Sequence, residues 1–216
     1  GNVTDVTEAT VDGSKMLPGV SLEDASAQKD ILLAEMLDVV YTSGPQTVDF
    51  TFNHLLAKVY FTVTSNTEDG YAYTVSNLQI NNLYQQGNYA ISYNDANSNN
   101  LYEASEITGA WTGVGSKSAT VFSDIENVTN ANNNKTNDIE KLIIPTTDDF
   151  TVSFSVTLSK NSTVIDTYNV GPITVTNDIV AGSAYNFKIG LSVGEQIQFT
   201  VTSKPAWGGT TDVTVL

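Results

Sequence analysis

The sequence predicts an all-β protein built as an antiparallel sandwich, and three observations carry that expectation. The polar share is mostly uncharged and of two kinds: 28 Thr, which favours strands, and 21 Asn, which favours turns, in a chain of 216 residues. Apolar residues recur at every second position over short runs, the period of a half-buried strand. Turn-forming clusters separate these runs at roughly 8- to 12-residue spacing, the rhythm of a sandwich.

Residues 1–30 are polar and weakly patterned. Val3, Val6, Ala9 and Val11 suggest a poor strand, and Ser21 with Asp24 marks a possible helix start before Lys29. Ile31–Tyr41 fits both periods: Leu32, Met36 and Val40 recur helically, whereas Ile31, Leu33, Leu37, Val39 and Tyr41 alternate. Beyond Ser43–Pro45 the pattern sharpens. Val48, Phe50 and Phe52 alternate with polar residues, as do Ala57, Val59, Phe61 and Val63. Asn66–Gly70 reads as a turn. Tyr71, Tyr73 and Val75 open a strand that Leu78 and Ile80 continue out of phase, which implies a bulge.

Residues 94–100 and 127–138 are Asn-rich loops, with a short strand at Thr120–Phe122 between them. Ile139–Ile144 forms a strand that Pro145 stops. The last third is the most regular: Val152–Leu158, Val164–Val170, Tyr185–Leu191, Ile197–Val201 and Val213–Val215 all alternate.

Charge narrows the functional classes. All nine basic side chains are Lys, against 24 acids, for a net charge of −15. Nucleic acid needs a basic patch, and anionic lipid surfaces need the same, so neither is expected as a partner. Absence of Arg removes the usual bidentate clamp for phosphate. Cys is absent, so no disulfide holds the fold. No apolar run is long enough for a membrane-spanning helix.

Catalytic signatures are thin. Any Ser-His-Asp triad has to use His54, the single His, which sits among Phe52, Leu55 and Leu56 and reads as structural. One His and no Cys disfavour zinc, and no glycine-rich phosphate loop occurs. Carboxylate pairs at Asp148–Asp149, Glu103 with Glu106, and Glu68–Asp69 leave acid–base hydrolysis formally open. No catalytic, cofactor or metal residue is assigned on this basis. A sharper spacing runs from Asp95 through Asn97, Asn99, Leu101 and Glu103 to Glu106, matching a calcium loop with Asn100 in place of its glycine. The plainer reading is a solvated Asn/Asp turn. Tyr71, Tyr73, Tyr84, Tyr89, Tyr93 and Tyr102 are clustered, either as cross-strand pairs or as a face for stacking sugar rings.

Several segments in order resemble the fimbrillin (Mfa-like) family of pilus subunits. VDFTFNHLLAKVYF (Val48–Phe61) resembles its strand–His–Lys–strand signature, with DILLA (Asp30–Ala34) ahead of it. LIIP (Leu142–Pro145), AGSAYNF (Ala181–Phe187) and Trp207 resemble its later motifs. The resemblance implies two tandem transthyretin-like antiparallel β-sandwich domains, placed here at 1–147 and 148–216, and a strand at Ile31–Tyr41. It implies a non-enzymatic fimbrial subunit or adhesin at the bacterial cell surface and outer membrane, made as a lipid-anchored precursor. Its partners are other pilus subunits joined head to tail by strand exchange, with a host or bacterial surface ligand. In the family a protease cut after a basic residue opens the groove. Here only Lys15 and Lys29 precede the signature. TTDVTVL (Thr210–Leu216) is either a donor strand or the closing strand of its own sheet. The alternative function is a carbohydrate-binding cell-surface lipoprotein that uses the tyrosines.

Overall fold

The computed structural model describes residues 9–11, 14–23, 28–34, 52–93, 107–136, 140–204 and 211–213. Among them the chain is all strand and turn, without a helix. In chain order the strands are β1 (Ala9–Val11), β2 (Ser14–Ser21), β3 (Leu32–Ala34), β4 (Phe52–His54), β5 (Ala57–Asn66), β6 (Tyr71–Leu83), β7 (Gln86–Tyr93), β8 (Ile107–Val114), β9 (Ser118–Val121), β10 (Ile125–Val128), β11 (Lys135–Thr136), β12 (Lys141–Ile143), β13 (Phe150–Lys160), β14 (Thr163–Val175), β15 (Ala184–Ser192), β16 (Gln198–Lys204) and β17 (Thr211–Val213).

Two sheets make a sandwich. One runs β10-β6-β13-β14, with β9 also on β6; the other runs β11-β5-β15-β16-β17, with β12 also on β5. Alternation puts one side of each strand inward. Ala57, Val59, Phe61 and Val63 of β5 are fully buried, as are Val152, Phe154 and Val156 of β13 at 3% exposure or less. A single apolar cluster gathers side chains from both sheets. Phe187 is at its centre, with ring centroids 5.2 Å from Phe61 and 6.2 Å from both Phe150 and Phe199.

The ladders are antiparallel with one exception. β15 runs parallel to β5, from Ala184 opposite Lys58 to Ser192 opposite Asn66. A parallel pair needs a crossover, and here the connection between the partners includes the opposing sheet's β6, β13 and β14. The expected division lies between Thr147 and Asp148, after β12 and before β13. β13 pairs with β6, β15 pairs with β5, and the core draws on both sides of that point.

The bulge expected in the Tyr71–Ile80 region is present. The β6–β13 register shifts between the Gln79–Ser153 and Ser76–Ser155 pairs, and Asn77 takes a φ of 53°. Of the helix start expected from Ser21, Ser21 itself ends β2, and Leu22, Glu23 and Gln28–Ile31 are irregular; Asp24 lies outside the described residues. Leu32–Ala34 is a strand paired with Phe52–His54. Glu35–Tyr41, and Val48–Thr51, lie outside the described residues.

A smaller sheet, β1-β2-β7-β8, stands beside the sandwich. Leu22, Leu56 and Ile144 form a second apolar cluster, against which Val20, Tyr84, Trp111 and Leu142 pack. This cluster ties the small sheet to the β4–β5 and β12 ends of the sandwich.

Candidate functional site

The site with the clearest capacity for chemistry is a backbone edge. β14 is the outermost strand of its sheet, and among the described residues no strand pairs with its outer side. A bare edge presents a row of unpaired N–H and C=O groups that a second chain can take up. Its side chains are unusually apolar for an edge: Val164, Ile165 and Tyr168 are 62%, 52% and 48% exposed. Pro172 offers no N–H, so the ladder available to a partner runs from Thr163 to Val170.

Tyr168 pairs with Val156 and so lies on the inward face of its sheet. It is nonetheless half exposed, because a cavity of about 310 Å³ opens there between the sheets. Tyr73, Val156, Leu158, Leu191 and Ile197 line it with Tyr168, and the turn from β15 to β16 closes one end. A hydrogen bond to Asp166, above all, pushes the Tyr168 phenol up from its ordinary range. Burial raises Tyr73, with the nearby Tyr168 adding to it. The walls are apolar with phenol tips, suited to contact with side chains of an extended segment.

The residues singled out from sequence are scattered. Asp148 is bound to Lys117 at 2.8 Å. Glu68 and Asp69 sit at a cleft with Asn127, Asn130 and Asn161. Among the described residues no three His, Cys, Asp or Glu side chains converge to hold a metal. The spacing from Asp95 to Glu106 lies outside the described residues, as does Tyr102. Tyr73 is buried, Tyr71 carries the Lys160 ammonium 4.4 Å over its ring, and Tyr89 packs edge-on to Trp111 at 5.3 Å. The tyrosines thus do not form one exposed face. Lys15 lies within β2, its backbone opposite Thr10 and Ile91, and Lys29 is exposed ahead of β3. From Thr210–Leu216, residues Thr211–Val213 pair with β16 of the same chain.

Alternation alone gives Val164–Val170 the same reading as the strands before and after it. Asp166 and Pro172 were the available signal, since charge and Pro inside an apolar run mark an edge.

The fimbrillin-like family model matches residues 1–205. The chain belongs to the fimbrillin-like family. No curated protein matches it. Among solved structures it is similar to a protein from Bacteroides uniformis provisionally assigned to cell adhesion (18% identity, TM-score 0.46), covering 92% of this chain and 68% of that one. A fimbrial protein from Bacteroides vulgatus shows 12% identity and a TM-score of 0.41, covering 72% and 56%. A further protein provisionally assigned to cell adhesion, from Bacteroides ovatus, shows 14% and 0.42, covering 96% and 63%. The chain thus spans from about half to two thirds of the length of these structures.

The fimbrillin-like motifs meet around one hub. His54 pairs with Asp30, and Leu55 N–H donates to the Ile31 carbonyl at 2.9 Å. Gly182 N–H donates to Leu56 O, and Lys58 N–H to Ser183 O, both at 2.9 Å. Ile143 stands opposite Ala57. Gly182 has a φ of 71°, which a side chain would strain, so the glycine serves the turn into β15. His54 is a clamp between two segments, in keeping with its structural reading. Trp207 lies outside the described residues.

Proposed function

We propose that this fimbrillin-like chain is a non-enzymatic pilus subunit or adhesin component, displayed at the bacterial surface, that joins neighbouring subunits by strand addition at β14. The observation that carries the reading is the open side of Thr163–Val170 beside an apolar cavity. A partner segment laid there gains ladder hydrogen bonds and sets alternate side chains over Tyr168. Repeated head to tail, such a contact grows an open filament.

Family membership supports other pilus subunits as partners and an outer-membrane, lipid-anchored origin. Thr210–Leu216 is the candidate donor: the described part of it is held to β16 by only three residue pairs. Lys29, exposed between β2 and β3, and Lys15 are the candidates for a priming cut.

The test is limited trypsin digestion followed by electrophoresis in SDS without boiling. The parent chain is expected to give a ladder of multimers. The double variant Ile165→Glu/Tyr168→Glu, which adds no tryptic site, is expected to stay monomeric, because charge on an edge opposes pairing. A ladder that survives both glutamates, or none from the parent, overturns strand addition at β14.

A further inference from the structure

A second cleft, of about 400 Å³, opens where the small sheet meets the sandwich, and none of its walls belongs to β14. Its size falls in the roughly 300–1,000 Å³ range of small-molecule sites. Tyr84, Trp111, Pro145, Asp148 and Asp178 line it.

Each wall is fixed by its own contacts. The Tyr84 ring lies against Gly113, where an added Cβ would fall 2.2 Å from ring carbons, so only glycine leaves room for it. Trp111 Nε1–H donates to Leu55 O at 2.8 Å. Behind the cleft, Thr146 and Ile179 exchange two backbone hydrogen bonds of 3.0 and 2.8 Å. The Tyr185 hydroxyl accepts from Val180 N–H at 2.8 Å and donates to Asp178 O at 3.1 Å. A cleft held this way has little ordering left to do when a ligand enters.

The lining chemistry selects among ligand classes. The Lys117 ammonium stands 5.2 Å over the Tyr84 ring and 2.8 Å from Asp148, so the place a cationic ligand would take is filled from within the chain. The Asp178 carboxylate and a net charge of −15 oppose an anion. A neutral ring rich in hydroxyls meets neither obstacle. Its C–H surface suits Trp111, and its hydroxyls can donate to Asp178.

We propose that this cleft binds a neutral carbohydrate, with Trp111 as its apolar wall and Asp178 as its hydroxyl acceptor. The proposal stands apart from assembly at β14. The full chain is screened on an immobilised panel of neutral hexose and N-acetylhexosamine oligosaccharides, and a bound oligosaccharide is then titrated calorimetrically. Asp178→Ala, at an exposed position, is expected to weaken binding by roughly tenfold or more, the scale of one hydrogen bond to a charged group. Trp111→Phe is expected to weaken it as well, and Ile165→Lys on β14 to leave it unchanged, with circular dichroism confirming each fold. Failure of every neutral oligosaccharide to bind overturns the proposal. So does binding that Asp178→Ala leaves intact, or selective capture of charged saccharides or cationic peptides.

Discussion

Lys141 shows how one side chain can work against the fold that contains it. It stands on β12 opposite Val59, is 9% exposed, and holds its ammonium 5.6 Å over the Phe122 ring. Burial lowers its pKa from the ordinary lysine value of 10.5. The folded amine therefore releases its proton at a lower pH than the unfolded one. Between those two values the unfolded chain binds more protons, so stability from this group rises with pH across the window and levels off above about 10.5. Lys141→Met keeps the volume and removes the buried charge. Thermal melts should show the variant melting higher than the parent near pH 7, with the gap closing toward pH 10.5. A variant that melts lower at neutral pH would mean that the attraction of Phe122 for the ammonium outweighs its desolvation.

At the level of the element, the bulge in β6 sets which side chains reach the core. Tyr73 and Val75 point inward before it, Leu78 and Ile80 after it, and the phase change between them is absorbed at Asn77. Its left-handed backbone is one that Asn tolerates and a β-branched residue does not. Its N–H also donates to Asp124 and its amide to Ser155, each at 3.3 Å. Asn77→Val should cost about 1–3 kcal/mol, read as a lower urea midpoint, while Asn77→Gly should sit close to the parent. The broken alternation made this bulge legible from residue spacing. The cores of β5, β13 and β15 were legible for the same reason, since strict period-two burial writes itself into the sequence. What stayed hidden was lateral: alternation reports the face of a strand and says nothing about its neighbours. The edge position of β14 and the parallel union of β5 with β15 are matters of order within a sheet. The cleft beside Trp111 depends on Gly113, whose role appears only once Tyr84 is seen resting on it.

For the molecule as a whole, the two sheets share one apolar core. β13 is the central partner of both β6 and β14, and β15 separates β5 from β16. A fragment ending at Thr147 would lack both, leaving Phe61, Val75 and Ile80 without the strands that cover them. Expressed alone, residues 1–147 should give circular dichroism of an unfolded chain and no urea transition. A cooperative transition in that fragment would support the two-domain division at this point. The parallel union has a further consequence in time. Ala184 meets Lys58 across 126 residues of chain. At roughly 5–20 residues per second, a polypeptide emerging from the ribosome leaves that flank of β5 bare for about 6–25 s. Until the closing strand arrives, that flank of β5 has no ladder partner, and Phe61 lacks the Phe187 ring that packs against it.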